Sequence, residues 1–281
     1  MKLIFIANVR MPTEKAHGVV IAKSCEAFAD AGVEVTLVVP RRKTDVFGDM
    51  WGAYNVKRNF SVRYIPTFDA LRYSTSTITF WVSYIAFFIS ILFFVNKKEI
   101  VYVREAPLLA LSIFGFRVIY ECHAIPKYRG LFFWLCRRAR HVIVISNALK
   151  RTFVENGFDE KKVLVAPSGV DLNIFQTEIS KEEARKKLAL PLDAKILVYT
   201  GNFTTMGEDK GIGDILKALK NLPEVLFVAV GGSDKDRARY EKQARALDIL
   251  NRTKLFGFAS QTTLALYQRA ADILLMPFPD T

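Results

Sequence analysis

The chain has 281 residues, 51% hydrophobic and 24% charged, with a formal net charge of +12. At ~150 residues per domain that is room for two domains, and 15 Gly with 10 Pro are too few for a disordered or collagen-like chain. Three cysteines (Cys25, Cys122, Cys136) without a Cys-x-x-Cys pair rule out a disulfide framework or a structural zinc site and fit a reducing, cytoplasmic compartment. In chain order, residues 2–8 read as a compact apolar strand, too short an apolar run for a signal peptide. A loop and an amphipathic helix over 19–31 follow it. Strands are predicted at 34–40, 62–65, 100–104, 117–121 and 141–146, with helical patterns at 106–114 and 128–138. The pattern then restarts: strands at 195–201, 225–231, 254–257 and 273–277 alternate with helices at 213–221, 235–247 and 261–269. Short β-branched runs separated by helices predict parallel sheets covered on both faces.

The charge is uneven. Residues 1–170 carry 24 Lys and Arg against 13 Asp and Glu, while 171–281 carry 16 against 15. A basic face on the first half suits an anionic lipid surface or a phosphorylated substrate, and a merely soluble basic protein is the plainer alternative. Nucleic acid is not expected, because no helix-turn-helix, zinc-finger or RNP signature accompanies the charge. Residues 78–95, ITFWVSYIAFFISILFFV, contain no charge and reach the length of a transmembrane candidate. A span would separate the strand at 2–8 from that at 117–121, so a buried or domain-capping helix is the favoured reading. An interfacial helix is the first alternative and a true span the last.

The residues also carry a resemblance. Residues 141–175, HVIVISNALKRTFVENGFDEKKVLVAPSGVDLNIF, together with Tyr120-Glu121-Cys122-His123, Tyr199-Thr200-Gly201, Lys210-Gly211, Val230-Gly231-Gly232, Gly257 and Ala270-Ala271-Asp272, resemble a family-4 glycosyltransferase. The likeness implies an α/β chain of the GT-B type, two doubly wound Rossmann-like domains with parallel sheets. Residues 1–166 are then an acceptor-side domain, 167–193 a linker, and 194–281 a nucleotide-sugar-binding domain that is incomplete. The family's acidic pair, two glutamates seven apart, is expected just beyond Thr281.

The implied activity is retaining, metal-independent transfer of a sugar from a nucleotide-sugar donor to a sugar or lipid-linked hydroxyl acceptor. No cofactor is implied, and peripheral contact with an anionic membrane on its inner face fits the charge. A truncated, non-catalytic binding chain is the alternative. By resemblance His123 is the active-site histidine. Gly18 in the first βα loop, Gly201, Asn202, Lys210, Gly231, Phe258 and Ala259 are the donor-binding candidates. Glycine permits close backbone approach to a phosphate, and Lys210 supplies a cation ahead of a helix. Where the family carries an Arg after the glycine, this chain has Asn202. Asp171 reads as a turn residue and Arg104-Glu105 as surface ion pairs, with contact to an acceptor as the alternative. A dinucleotide oxidoreductase lacks its Gly-x-Gly-x-x-Gly here, and three dispersed histidines do not make a metal hydrolase.

Overall fold

A computed structural model describes residues 1–13, 16–44, 49–74, 76–176, 178–205 and 208–277. The chain divides into two compact units, Met1–Ser168 and Gly169–Thr281. In the first, β1 (Lys2–Ile6), α1 (Ala16–Asp30), β2 (Glu34–Pro40), α2 (Met50–Tyr54), β3 (Ser61–Ile65), α3 (Thr77–Phe94) and β4 (Ile100–Val103) come in turn. They are followed by β5 (Arg117–Cys122), α4 (Arg129–Arg138), β6 (His141–Val144), α5 (Asn147–Glu155) and β7 (Val163–Val165). The seven strands form one sheet in the order β3-β2-β1-β4-β5-β6-β7, and every pairing is parallel.

Each strand alternates its side chains between two separate cores. Phe5, Leu37 and Tyr102 face α1 and α2, whereas Ile6, Val101 and Val103 face α3, α4 and α5. The predicted strands at 2–8 and 117–121 are thus in one sheet, as β1 and β5. Residues 106–114, predicted as a helix, wind as consecutive 3₁₀ turns from Ala106 to Phe114 and stop at Gly115, whose φ is 86°. They press Leu108, Leu109 and Leu111 onto the sheet.

The hydrophobic helix is neither wholly buried nor a span. Ser76 caps α3, accepting from the Thr79 N–H, and the helix buries Ser83, Tyr84, Phe87 and Ile91. Because β3 before it and β4 after it belong to the same sheet, α3 must run back alongside that sheet. Its other face is exposed.

The second unit holds α6 (Leu172–Phe175), α7 (Lys181–Lys187), β8 (Lys195–Thr200), a two-residue pair β9 (Thr204–Thr205) and β10 (Glu208–Asp209), and α8 (Ile212–Leu219). It continues with β11 (Val225–Val230), α9 (Asp234–Ala246), β12 (Thr253–Phe256), α10 (Gln261–Ala270) and β13 (Ile273–Leu274). Four parallel strands lie in the order β12-β11-β8-β13. α8 and α9 cover one face, and α7 with α10 the other. The last strand pairs over only two residues of the predicted 273–277, and residues 278–281 lie outside the described residues.

Within the stretch 167–193, α7 is built into this unit. Ser180 and Glu183 form a reciprocal capping box at its start. Arg185, only 3% exposed, donates to the carbonyls of Ala270 and Ala194 at 3.0 and 3.1 Å and to Asp272 at 2.7 Å. Asp272 also accepts from Lys181 Nζ at 2.8 Å and from the Ile196 N–H at 2.7 Å. One carboxylate therefore joins α7, the start of β8 and the turn into β13.

The Lys181 and Ile196 donors, with Arg185 beside them, hold the Asp272 carboxyl down at about 2. A depressed carboxyl pKa stabilises the fold above the ordinary carboxylate range and ceases to do so as pH falls toward 2. Asp272→Asn leaves the buried Arg185 guanidinium without its counter-charge. The expected loss is about 2 kcal/mol, less than the ~3–5 kcal/mol of a fully buried pair because Asp272 is partly solvated. Urea denaturation at pH 7 measures it, and the difference from the parent shrinks as pH is lowered through 4 toward 2.

Candidate functional site

In an open parallel sheet a ligand crevice forms at the carboxyl ends of the strands, where neighbouring connections leave in opposite directions. The first sheet has this switch between β1 and β4, and the second between β8 and β13.

At the first switch, Glu105 bridges the strand ends. Its Oε1 accepts from the Asn8 N–H at 2.8 Å and its Oε2 from the Tyr84 hydroxyl at 2.9 Å, the latter reaching in from α3. Burial raises the Glu105 pKa, against the opposing pull of these two donors and of Arg42 and Arg104. Arg42, its side chain 9% exposed, lies 3.5 Å from Asp69 and donates to the Ser83 carbonyl at 3.4 Å.

One strand over, the register pairs Tyr102 with Ile119, so Arg104 and Glu121 fall side by side on one face of the sheet. His123 follows two residues later on that same face. Its Nε2 is 2.6 Å from Glu121 Oε1 and 2.8 Å from Arg104 Nη2. Arg104 Nε is 3.3 Å from Glu121 Oε1, and the Tyr102 hydroxyl donates to Glu121 Oε2. A single ring nitrogen cannot donate to a carboxylate and accept from a guanidinium at once. With hydrogen on Nε2, His123 donates to Glu121; without it, the ring accepts from Arg104. Nδ1 has no hydrogen-bond partner among the described residues.

Arg104 and Glu105 are thus not surface ion pairs as the sequence suggests. Glu121, read only as part of a motif, is the histidine's direct partner. The spacing Glu-x-His at a strand end was the available signal, since period-two alternation puts both residues on one face.

Gly18 is two strands away, in the first turn of α1, and it is buried. A Cβ there would lie 2.4 Å from the Tyr54 hydroxyl and 2.6 Å from Thr13 Cγ2. That hydroxyl donates to the Thr13 carbonyl at 3.0 Å, so the missing side chain lets the β1–α1 loop close onto α2.

The second switch holds a cavity of about 590 Å³ lined by Thr200, Asn202, Lys210, Gln268, Met276 and Pro277, among others. Two sequence candidates, Asn202 and Lys210, meet there. Gln268 Nε2 donates to the Thr200 hydroxyl at 2.9 Å and braces the wall from α10. The Lys210 ammonium makes no ion pair among the described residues. The expected convergence of Lys210 with a helix end on one anion takes a different form. Asp209 accepts from the Ile212 and Gly213 N–H groups at 2.9 and 3.2 Å, filling that position of α8 itself. Lys210 is the group left to meet an anion.

Gly201 and Gly231 abut at the ends of β8 and β11. Gly231 has φ 118°, and a Cβ on it would stand 2.4 Å from the Gly201 carbonyl oxygen. Phe258, 75% exposed, and Ala259 follow β12, on the far side of β11 from the cavity. Asp171 accepts from the Asn173 N–H at 3.1 Å at the start of α6, as a turn residue does.

The family profile described as Glycosyltransferase Family 4 matches residues 17–174, and that described as Glycosyl transferases group 1 matches residues 180–278. A D-inositol 3-phosphate glycosyltransferase of Kineococcus radiotolerans is 27% identical over 149 residues, which is 50% of this chain and 34% of that protein. Across the curated relatives the matched segments span 23% to 35% of the relatives' own lengths. Among solved structures, a sucrose-phosphate synthase from Thermosynechococcus elongatus aligns with a TM-score of 0.73 at 17% identity, covering 98% of this chain and 75% of that one. Anabaena Alr3699/HepE in complex with UDP aligns at 0.70 and 16% identity, covering 98% and 74%. At these identities the likeness establishes the fold, the two-domain GT-B architecture.

Gly18→Ala is expected to cost about 1–3 kcal/mol, since the added methyl has no room against Tyr54 and Thr13. Urea denaturation reads the loss. A variant as stable as the parent contradicts the packing role.

Proposed function

Because the chain belongs to glycosyltransferase family 4, we propose that it transfers a sugar from a nucleotide-sugar donor to a hydroxyl acceptor, retaining the anomeric configuration and using no metal ion. The observation that carries this reading is the cavity at the β8–β13 switch, with Lys210 on its wall making no ion pair among the described residues. Glycosyl transfer needs the diphosphate leaving group held and its growing negative charge stabilised. A fixed cation beside the phosphates binds the donor and strengthens its hold as charge moves onto the leaving oxygen. In this reading Lys210 takes that task, and Asn202 supplies a neutral donor where the family carries a second cation. The HepE neighbours, whose complexes contain UDP, glucose or UDP-glucose, favour a donor of the same chemical class.

His123 is the residue of the first unit assigned to the reacting sugar. Glu121 or Arg104, according to the tautomer, holds its Nε2 and sets the ring's orientation, which leaves Nδ1 for a sugar hydroxyl. Glu105 and Tyr84 stiffen the neighbouring strand end. The acceptor is a polysaccharide, glycolipid or other hydroxyl compound. The protein works in the cytoplasm, in peripheral contact with an anionic membrane, a placement favoured by the basic first half.

Calorimetric titration with UDP and other nucleoside diphosphates tests the donor site. The parent binds at least one of them, with affinity unchanged by a chelator. Lys210→Ala weakens binding and, where turnover is measured, lowers kcat/KM by about 10- to 100-fold, the worth of a charge-assisted hydrogen bond of ~1.5–3 kcal/mol. His123→Ala keeps nucleotide affinity and loses turnover. Parental affinity in Lys210→Ala removes the donor assignment, and parental rates in His123→Ala remove the catalytic one.

A further inference from the structure

The helices on one side of the first sheet present an outer surface that their own unit leaves bare. On α3, Trp81, Ile85, Ile89 and Phe93 point away from the buried face and are 47 to 80% exposed. The 106–114 turns add exposed Ile113 and Phe114, the latter with its ring 5.7 Å from Phe88. Packed on those turns, α4 adds Leu131 and Trp134. Single exposed apolar residues are ordinary, but a continuous surface across three neighbouring elements marks an interaction site.

Charge identifies the partner. Residues 70–140 contain ten Lys and Arg but only Glu99, Glu105 and Glu121 as acids. Glu105 and Glu121 are engaged inward at the strand ends, with Asn8 and Tyr84 and with Arg104 and His123. Lys97, Lys98, Arg117, Arg129 and Arg138 are exposed, and the Arg138 guanidinium lies 4.3 Å from the Trp134 ring centre. A second copy placed against this surface would bring like charges together. An anionic bilayer takes both parts: aromatic and aliphatic side chains enter the headgroup boundary while the cations pair with lipid phosphates. The 18 residues of α3, about 27 Å long at the helical rise, lie flat in that boundary, since both ends return to one sheet.

We infer that the outer faces of α3, the 106–114 turns and α4 form one docking surface for an anionic bilayer. This rests on the peripheral membrane contact proposed above and assigns it a face and an orientation. Crossover helices run back from the carboxyl ends of their strands, so α3 and α4 both begin at the edge that carries His123. The loop from His123 to Tyr128 leads directly into α4, and Tyr84 links α3 to Glu105. The docked face therefore borders the His123 edge instead of lying on the opposite side of the unit.

Co-sedimentation of the full chain with phosphatidylcholine vesicles, with and without phosphatidylglycerol, tests the assignment. The parent pellets with the anionic vesicles and is released by high salt. Ile85→Glu/Phe93→Glu and Arg129→Glu/Arg138→Glu each lower the bound fraction by about tenfold or more, whereas Lys187→Glu/Lys242→Glu in the second unit leaves it unchanged. All these positions are exposed, and circular dichroism confirms that each variant is folded. A single-tryptophan protein keeping Trp134 shifts its emission to the blue on binding, and one keeping Trp51 does not. Failure of the parent to bind anionic vesicles defeats the membrane reading itself. Parental binding by both pairs of variants, or an unshifted Trp134, leaves that reading standing and overturns the surface.

Discussion

The parallel pairing of β1 with β4, two strands far apart in the chain but adjacent in the sheet, is the constraint from which the first unit follows. Parallel neighbours need crossover connections, and the connections from these two strands leave to opposite faces. α1 and α2 therefore cover one core, while α3, the 3₁₀ turns, α4 and α5 cover the other. Where the connections part, the strand ends are open to solvent, and polar side chains collect there. The second unit repeats the device, with β8 between β11 and β13.

The two edges are built with opposite electrostatics. At the first, acids and bases are matched: Glu105 sits between the Asn8 backbone N–H and the Tyr84 hydroxyl, and Glu121 shares its carboxylate among Arg104, His123 and Tyr102. Such a network fixes side-chain directions, because every member is held by a neighbour. The second edge does the reverse with its cation. Asp209 is spent on the amides of α8, and Lys210 remains beside a cavity with no ion pair among the described residues. A rigid polar edge and an unneutralised cation are different tools, one suited to orienting a sugar and the other to meeting a phosphate.

The helix layer of the first unit carries two duties on one set of elements. Tyr84 and Phe87 on the inner face of α3 secure the core and the Glu105 edge, while Ile85 and Phe93 on the outer face stand exposed. A helix without charge and with apolar residues on every side is the economical solution for a segment that packs on protein along one side and, in the inference above, meets lipid along the other.

Much of this architecture was legible in the sequence. β-branched runs at regular intervals determined the parallel sheets, because a strand buried on both faces must be apolar throughout. Motifs determined the family, and Asn202 and Lys210 were legible as neighbours at the carboxyl edge of the second sheet, because both lie between a strand and the crossover helix that follows it. Tertiary structure alone decided the rest. Glu105 and Arg104 look like solvated charges until β1, β5 and α3 converge on them. The stretch 167–193 reads as a connection, yet Arg185 finds Asp272 far along the chain and fastens α7 to the second sheet. Gly18 reads as a phosphate-binding glycine, whereas the close approach of Tyr54 gives its bare Cα a packing reason. In each case the deciding partner is distant in sequence. Local pattern specifies the element and the face a side chain takes; only the packed fold specifies what stands opposite it.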